Sequence, residues 1–346
     1  MIEILECPMP AGFQDAGRPG YRHLGVPLSG ALDVEWLAIA NALAGNPPET
    51  VALEIHLLGP KLRARTPVTI ALGGDFSARI EDTHGQWREA GNWRSHTLAA
   101  DEILVTGNLR SRIGYLAIHG GFDLPVVLGS RSTYTRAGLG GIDGRTLKAG
   151  DCLKTAKVGT GNAPVSLQLP HPPRVPGGAL RVIPGPQREY FTDAAWAQLV
   201  NAEFTVSREA DRMGLRLDGP RLEHDPAHGA DIVSDAVTPG VIQVPGDGRP
   251  IILLADCQTV GGYPKIATVI GADLPRLSHA MPGETLRFSE VSIEQALTAR
   301  RQATTALAAC IASLVPVGAE FDLDALYAAN LIDGVIDAHQ PNQPQR

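Results

Sequence analysis

The sequence predicts a mainly β protein built from two related barrel-like units, with few helices and a helical C-terminal tail. Three observations carry this. Aromatic residues are scarce at 5%, while 38 glycines and 27 prolines supply turns at short intervals. Apolar residues recur in short alternating runs, the spacing of half-buried strands. The chain also echoes itself: GYLAIHGGFDLPVVLGS (Gly114–Ser130) has the plan of IILLADCQTVGGYPKIATVIGA (Ile251–Ala272), an apolar strand, a Gly-Gly turn and a second apolar strand. LKAGDCL (Leu147–Leu153) likewise matches AMPGETLRF (Ala280–Phe288). Matching positions lie roughly 135–140 residues apart, as in a duplicated β unit.

Taken in chain order, VTIAL (Val68–Leu72) and EILVTG (Glu102–Gly107) read as strands. DVEWLAIANALAG reads as a helix capped by Asp33 and ended by Gly45, with Trp36, Leu37, Ala40 and Leu43 or Ala44 in one stripe. The Pro- and Gly-rich stretch KVGTGNAPVSLQLPHPPRVPGG denies backbone donors and favours extended chain. The expected division is therefore 1–157, a linker over 158–178, a second unit over 179–291 and a helical tail over 292–346. Ser292 caps the first tail helix, with Gln295 at capping-box spacing. A second helix is expected over 322–338, followed by a frayed end.

Composition excludes several classes. With 44% hydrophobic and 19% charged residues the chain can bury a real core. A net charge of −7 without a Lys/Arg cluster argues against a nucleic-acid binder. No apolar run approaches the roughly 18 residues of a membrane span, and MIEILECPMP has no signal-peptide pattern. Cys7, Cys152, Cys257 and Cys310 are widely spaced and read as free thiols of a reducing cytoplasm. There is no phosphate-loop motif, no G-x-S-x-G elbow, and GLGGIDG is not a dinucleotide fingerprint. His224 and His228 have the spacing of a zinc pair, but Pro226 between them argues against the helix that pair needs, and no metal site is expected.

Three clusters remain. In ADCQTVGGYPK (Ala255–Lys265), Gly261 and Gly262 let backbone approach a ligand, Lys265 can pair with an anion, and Asp256, Gln258 and Tyr263 can hydrogen-bond or move protons. A tight turn whose polar groups satisfy loose backbone fits the same residues. QDAGRPGYRHLGVPLSGALD (Gln14–Asp33) places Asp15 and Arg18 three apart, where they can pair, and offers Ser29 as a cap or ligand-binding group. SREADRMGLRLDG (Ser207–Gly219) offers Arg212 or Arg216 as a fork for a carboxylate, or simply a charged strand surface.

These clusters, together with ANALAGN, ALE, GSRSTY, GPQREYFT, DRMGLRL, GVIQVPGDGRPIILLADCQTVGGYPK and DLPRL, resemble the biotin-dependent carboxyltransferase family. Its members are also called 5-oxoprolinase C subunits, KipA-like proteins or "allophanate hydrolase subunit 2". The resemblance spans about residues 3–291. It implies tandem cyclophilin-like barrels and one component of an ATP-dependent 5-oxoprolinase that opens 5-oxo-L-proline to L-glutamate. Its partners would be the A and B subunits of that enzyme, the latter KipI-like. ATP would be used by the complex, and biotin would sit only on a partner, since no biotin-acceptor motif is present. The alternatives are a carboxyltransferase component acting on urea or another amide, and a regulator that binds a kinase inhibitor. In the leading reading, Lys265 with the Gly261–Gly262 backbone would hold an oxyanion or carboxylate. Asp256, Gln258 and Tyr263 would orient substrate or transfer protons, and Asp15, Arg18, Ser29 and Arg212 would complete the cleft. Cys257, His279 and Met281 depart from the family pattern, Cys257 replacing an arginine in D-R-Q-T.

Overall fold

The computed structural model describes residues 1–156 and 165–318. The helix expected over 322–338 and the frayed end lie outside these residues. The protein is mainly β, with four α-helices among the described residues: α1 (Val34–Leu43), α2 (Asp193–Asn201), α3 (Leu274–Ser278) and α4 (Ile293–Ala312).

Ten strands of the first half, joined by Leu167–Gln168 and Val315–Pro316, form a curled, nearly closed 12-stranded sheet. Its spine is one strand, Ile103–Ile118, longer than either short strand the sequence suggested. The beginning of that strand pairs with Lys61–Ala64 and Phe76–Glu81, and its end pairs with Ala52–Leu58 and Val68–Gly73. One strand thus serves two sets of neighbours, so the sheet must curl around it. Its inner face buries Ile4, Phe13, Leu53, Leu72, Leu104 and Leu116 completely. The described end of the Pro/Gly-rich stretch joins this sheet rather than standing free. Gln168 pairs with Arg94, Leu167–Gln168 pairs with Val315–Pro316, and Leu169 is buried.

The second half forms an eight-stranded sheet, antiparallel except where Phe288–Glu290 runs alongside Leu180–Pro184. The echo between halves is partial. Gly150 and Gly283 both take left-handed conformations (φ 88° and 91°) just before short edge strands, which only glycine does without strain. The two Gly-Gly pairs differ: Gly120 and Gly121 have positive φ, whereas Gly261 ends a strand paired with Asp235–Ala236.

Helix α1 joins the two halves. Asp33 caps it by accepting from the Glu35 and Trp36 N–H groups, as its sequence position demands. Its apolar stripe belongs to one hydrophobic cluster with Ala71 and Tyr115 from the first half and Val182, Leu215 and Ile252 from the second. α4, closed at its start by a reciprocal Ser292–Gln295 capping box, packs against α1. The approach of α1 to the first sheet depends on Gly73, where a Cβ would stand 2.7 Å from the Ala40 Cβ. Gly73→Ala is expected to destabilise the fold by about 1–3 kcal/mol through overpacking. Adding Ala40→Gly should recover part of the loss. Urea unfolding of the single and double variants checks this, and additive losses would contradict the close approach.

Candidate functional site

The site lies where the two halves meet, and a folded-back loop builds it. Between Gln14 and Asp33 the chain reverses on Gly17 and Gly30 (φ 84° and 82°), packed so closely that a Cβ on Gly30 would lie 2.7 Å from the Gly17 nitrogen. Between them Ser29 is held at φ 55°, a conformation an L-residue adopts at a cost. Its contacts hold it there: the Ser29 N–H donates to the Ala255 carbonyl (3.0 Å), and Oγ donates to Asp256 Oδ1 (2.6 Å). The first-half loop is thereby pinned to the end of the second-half strand Ile251–Leu253.

Arg212 is the centre of the arrangement. Its Nε and Nη2 donate to the Asp256 carboxylate (2.8 and 3.2 Å), Nη2 also to the Gly30 carbonyl (2.6 Å), and Nη1 to Glu54 Oε1. Glu54 is buried in the strand Ala52–Leu58. Its Oε2 accepts from the Tyr115 hydroxyl (2.7 Å) and the Leu32 N–H (2.9 Å), and its Oε1 lies 3.0 Å from His56 Nε2. Burial pushes the Glu54 carboxyl up. The Arg212 charge, His56 and the Leu32 N–H outweigh that and hold it well below the usual carboxylate range. Burial likewise pulls Arg212 down, but Glu54 and Asp256 raise it further. Burial, with Glu54 and Asp33 nearby, lifts the Tyr115 phenol well above its ordinary value, so it stays a donor. The Asp33 N–H closes the chain onto the Tyr115 oxygen (3.0 Å), and His279 Nε2 lies 2.8 Å from Asp33 Oδ2.

Beside this network runs a cleft of about 460 Å³. Arg112, Arg136, Arg208 and Arg212 line it against the carboxylates of Glu54, Asp211 and Asp256. It shares Arg136, Arg208, Asp211 and Met213 with a neighbouring hollow of about 580 Å³ that Gln258 and Tyr263 line.

The structure brings Ser29, Arg212 and Asp256 into direct contact and places Gln258 and Tyr263 in the adjoining hollow. Asp15 and Arg18 do not pair. The Asp15 carboxylate is saturated by the Gly17 and Arg131 N–H groups and the Ser130 and Ser132 hydroxyls, at 2.5–2.8 Å. Arg18 is wholly buried and donates to the Ser132 carbonyl, leaving Nε and Nη1 unpartnered. The Lys265 ammonium is buried on the Asp235 carboxylate and the Ala236 carbonyl. Gly261 is packed against Gln243, whose Nε2 a Cβ would meet at 2.6 Å, and the Gly262 carbonyl accepts from the Ile232 N–H. Arg216 pairs with Glu209 at the surface. His224 bonds the Val244 carbonyl, and no metal-binding cluster occurs among the described residues. Cys257 is buried beside the Arg22 guanidinium, His279 packs with its ring tilted against Trp36, and Met281 lines the cleft.

Sequence reasoning missed Glu54, Tyr115 and Arg112. Glu54 carried a signal: a lone carboxylate on a strand apolar apart from His56, ALEIHLL, requires a buried partner. Nothing local identified Arg212 as that partner, 158 residues away.

Arg212→Met leaves two carboxylates without their cation and is expected to cost about 3–5 kcal/mol. Arg212→Met with Glu54→Gln should lose less than the sum of the singles; strict additivity would contradict the coupling. The sign of the pH effect follows from the lowered Glu54 pKa. Its contribution is complete above the unfolded value of about 4.3 and is lost as pH falls toward the folded value. Urea unfolding from pH 7 to 3 should show a shallower acid loss for Glu54→Gln than for the parent.

Residues 24–290 match the carboxyltransferase domain, subdomain A and B. The 5-oxoprolinase C subunit of Escherichia coli (strain K12) is 36% identical over 304 residues, which cover 87% of this chain and 94% of that protein. The protein of the same name from Haemophilus influenzae is 36% identical over 307 residues, 87% of this chain and 95% of its own. The crystal structure of Kluyveromyces lactis urea carboxylase superposes with a TM-score of 0.79 at 29% identity, covering 91% of this chain and 30% of that larger one. A match over most of the sequence and a shared fold lead to one conclusion: the chain belongs to the carboxyltransferase-domain family and carries its subdomains A and B.

Proposed function

We propose that this chain is the C subunit of an ATP-dependent 5-oxoprolinase, opening 5-oxo-L-proline to L-glutamate with the A and B subunits. The observation that carries the reading is its near full-length likeness to two bacterial proteins named as 5-oxoprolinase C subunits. The arginine-lined cleft at the seam supports it, because the substrate is a small anion.

The reaction adds water across a resonance-stabilised lactam. A C–O bond forms at the ring carbonyl carbon, the ring C–N bond breaks, and the nitrogen leaves with a proton. ATP supplies activation of the carbonyl in the complex, and the cationic cleft suits an anionic group while the chain lacks a phosphate loop. Asp256, held by Arg212 and Ser29 in the cleft lining, would orient substrate or accept a proton. Gln258 and Tyr263 offer an amide and a phenol from the adjoining hollow. Lys265 with Gly261–Gly262 would act on an oxyanion only on release from Asp235, so in the observed arrangement it steadies the strand pair.

A carboxyltransferase role is the second reading, favoured by the urea carboxylase superposition. Any biotin would then be carried by another polypeptide. The two separate in one assay: glutamate release from 5-oxoproline and ATP by the A and B subunits, with and without this chain. Release only when the chain is added is expected. A stable complex without glutamate formation would turn the assignment toward carboxyl transfer and a biotinylated partner. Asp256→Asn is expected to lower kcat by about 100-fold or more while the complex still assembles. Unchanged turnover would remove Asp256 from the chemistry.

A further inference from the structure

The cleft lining holds two kinds of side chain that the network behind it does not account for. One is Arg112, from the long strand Ile103–Ile118, 7% exposed. Its Nη1 donates to the Ala280 carbonyl (3.1 Å), and among the described residues it forms no salt bridge. Glu54, Asp211 and Glu284 act on it only from a distance. Arg208, exposed on the same cleft, also has no carboxylate partner among the described residues. Arg212, by contrast, is fully engaged by Glu54 and Asp256. A buried cation without a counter-ion is unfavourable, and burial pulls the Arg112 pKa down. The deficit is removed when an anion enters.

The other part of the lining is apolar and soft. Met9, Met213 and Met281, three of the chain's four methionines, are half-buried there. Thioether side chains adapt to flat or irregular apolar faces. A cation and methionines lining one cleft describe a ligand with an anionic end and an apolar ring edge.

We propose that Arg112 is the carboxylate-binding residue of this cleft and that the lining methionines receive an apolar ring, so the cleft selects a small ring compound bearing one carboxylate. This rests on the cleft being the substrate site of the proposed oxoprolinase. The planar guanidinium fork matches a carboxylate, and a neutral lactam would leave Arg112 unsatisfied.

The test uses the full chain alone and then the assembled complex. Calorimetric titration compares 5-oxoproline with 2-pyrrolidinone, the same ring without its carboxylate, and with biotin, whose carboxylate lies at the end of a flexible chain. The parent should bind 5-oxoproline at least about tenfold more tightly than either. Arg112→Met should bring 5-oxoproline and 2-pyrrolidinone within about twofold of each other, and Arg112→Lys should restore part of the preference. Met213→Ala should weaken both ring ligands together. In the complex, Arg112→Met should raise KM for 5-oxoproline by at least about tenfold, with a smaller change in kcat. A preference that survives Arg112→Met in a folded variant, or a parent that binds the carboxylate no better than the lactam, overturns the proposal. The oxoprolinase reading fails separately. A complex that makes no glutamate, while the chain still prefers the carboxylate through Arg112, leaves this inference standing and removes that reading.

Discussion

The structure depends on one buried cation. Arg212 enters from the second half and must be neutralised out of water. Its partners are Glu54 in the first sheet and Asp256 in the second half. Charges taken from solvent must be paired with good geometry, so the two halves are committed to one relative placement. The other features follow from it. Tyr115, Leu32 and His56 complete Glu54. Ser29 completes Asp256 and accepts backbone strain to do so. Asp33 both caps α1 and ties into the same chain through Tyr115 and His279. The hydrophobic cluster shared by both sheets gives bulk cohesion, while the charge network fixes register.

Much of this was legible in the sequence where the cause is local. The cap at Asp33, the capping box at Ser292 and the short alternating strands were visible because helix ends and pleated faces are decided within a few residues. The clusters around Asp15, Arg212 and Asp256 were marked by polar groups among glycines, and Ser29, Arg212 and Asp256 do meet. Long-range pairing was not visible. The Asp15–Arg18 spacing suggested an ion pair, but the Ser130–Ser132 turn supplies better donors from across the fold. Lys265 read as a free ammonium because its partner Asp235 lies on a strand two residues long. The Pro-rich stretch read as a linker because composition does not reveal that Leu167–Gln168 finds an unpaired sheet edge.

The shared interface also explains why the cleft is cationic in a chain of net charge −7. The network behind it consumes Glu54 and Asp256 on Arg212, so the lining keeps buried Arg112 and exposed Arg208 without carboxylate partners among the described residues. Local charge, not the overall balance, then decides what the cleft attracts. Arg22 brings a guanidinium beside Cys257, and Met281 adds an apolar group to the lining of the cleft.

The most direct measurement is a crystal structure of the assembled complex with 5-oxoproline and a non-hydrolysable ATP analogue. The account predicts the ring between Arg112 and Met213 of this chain, its carboxylate on the Arg112 guanidinium, with Arg212 still joined to Glu54 and Asp256. A ring bound wholly within another polypeptide of the complex, with this cleft holding only solvent, would contradict it.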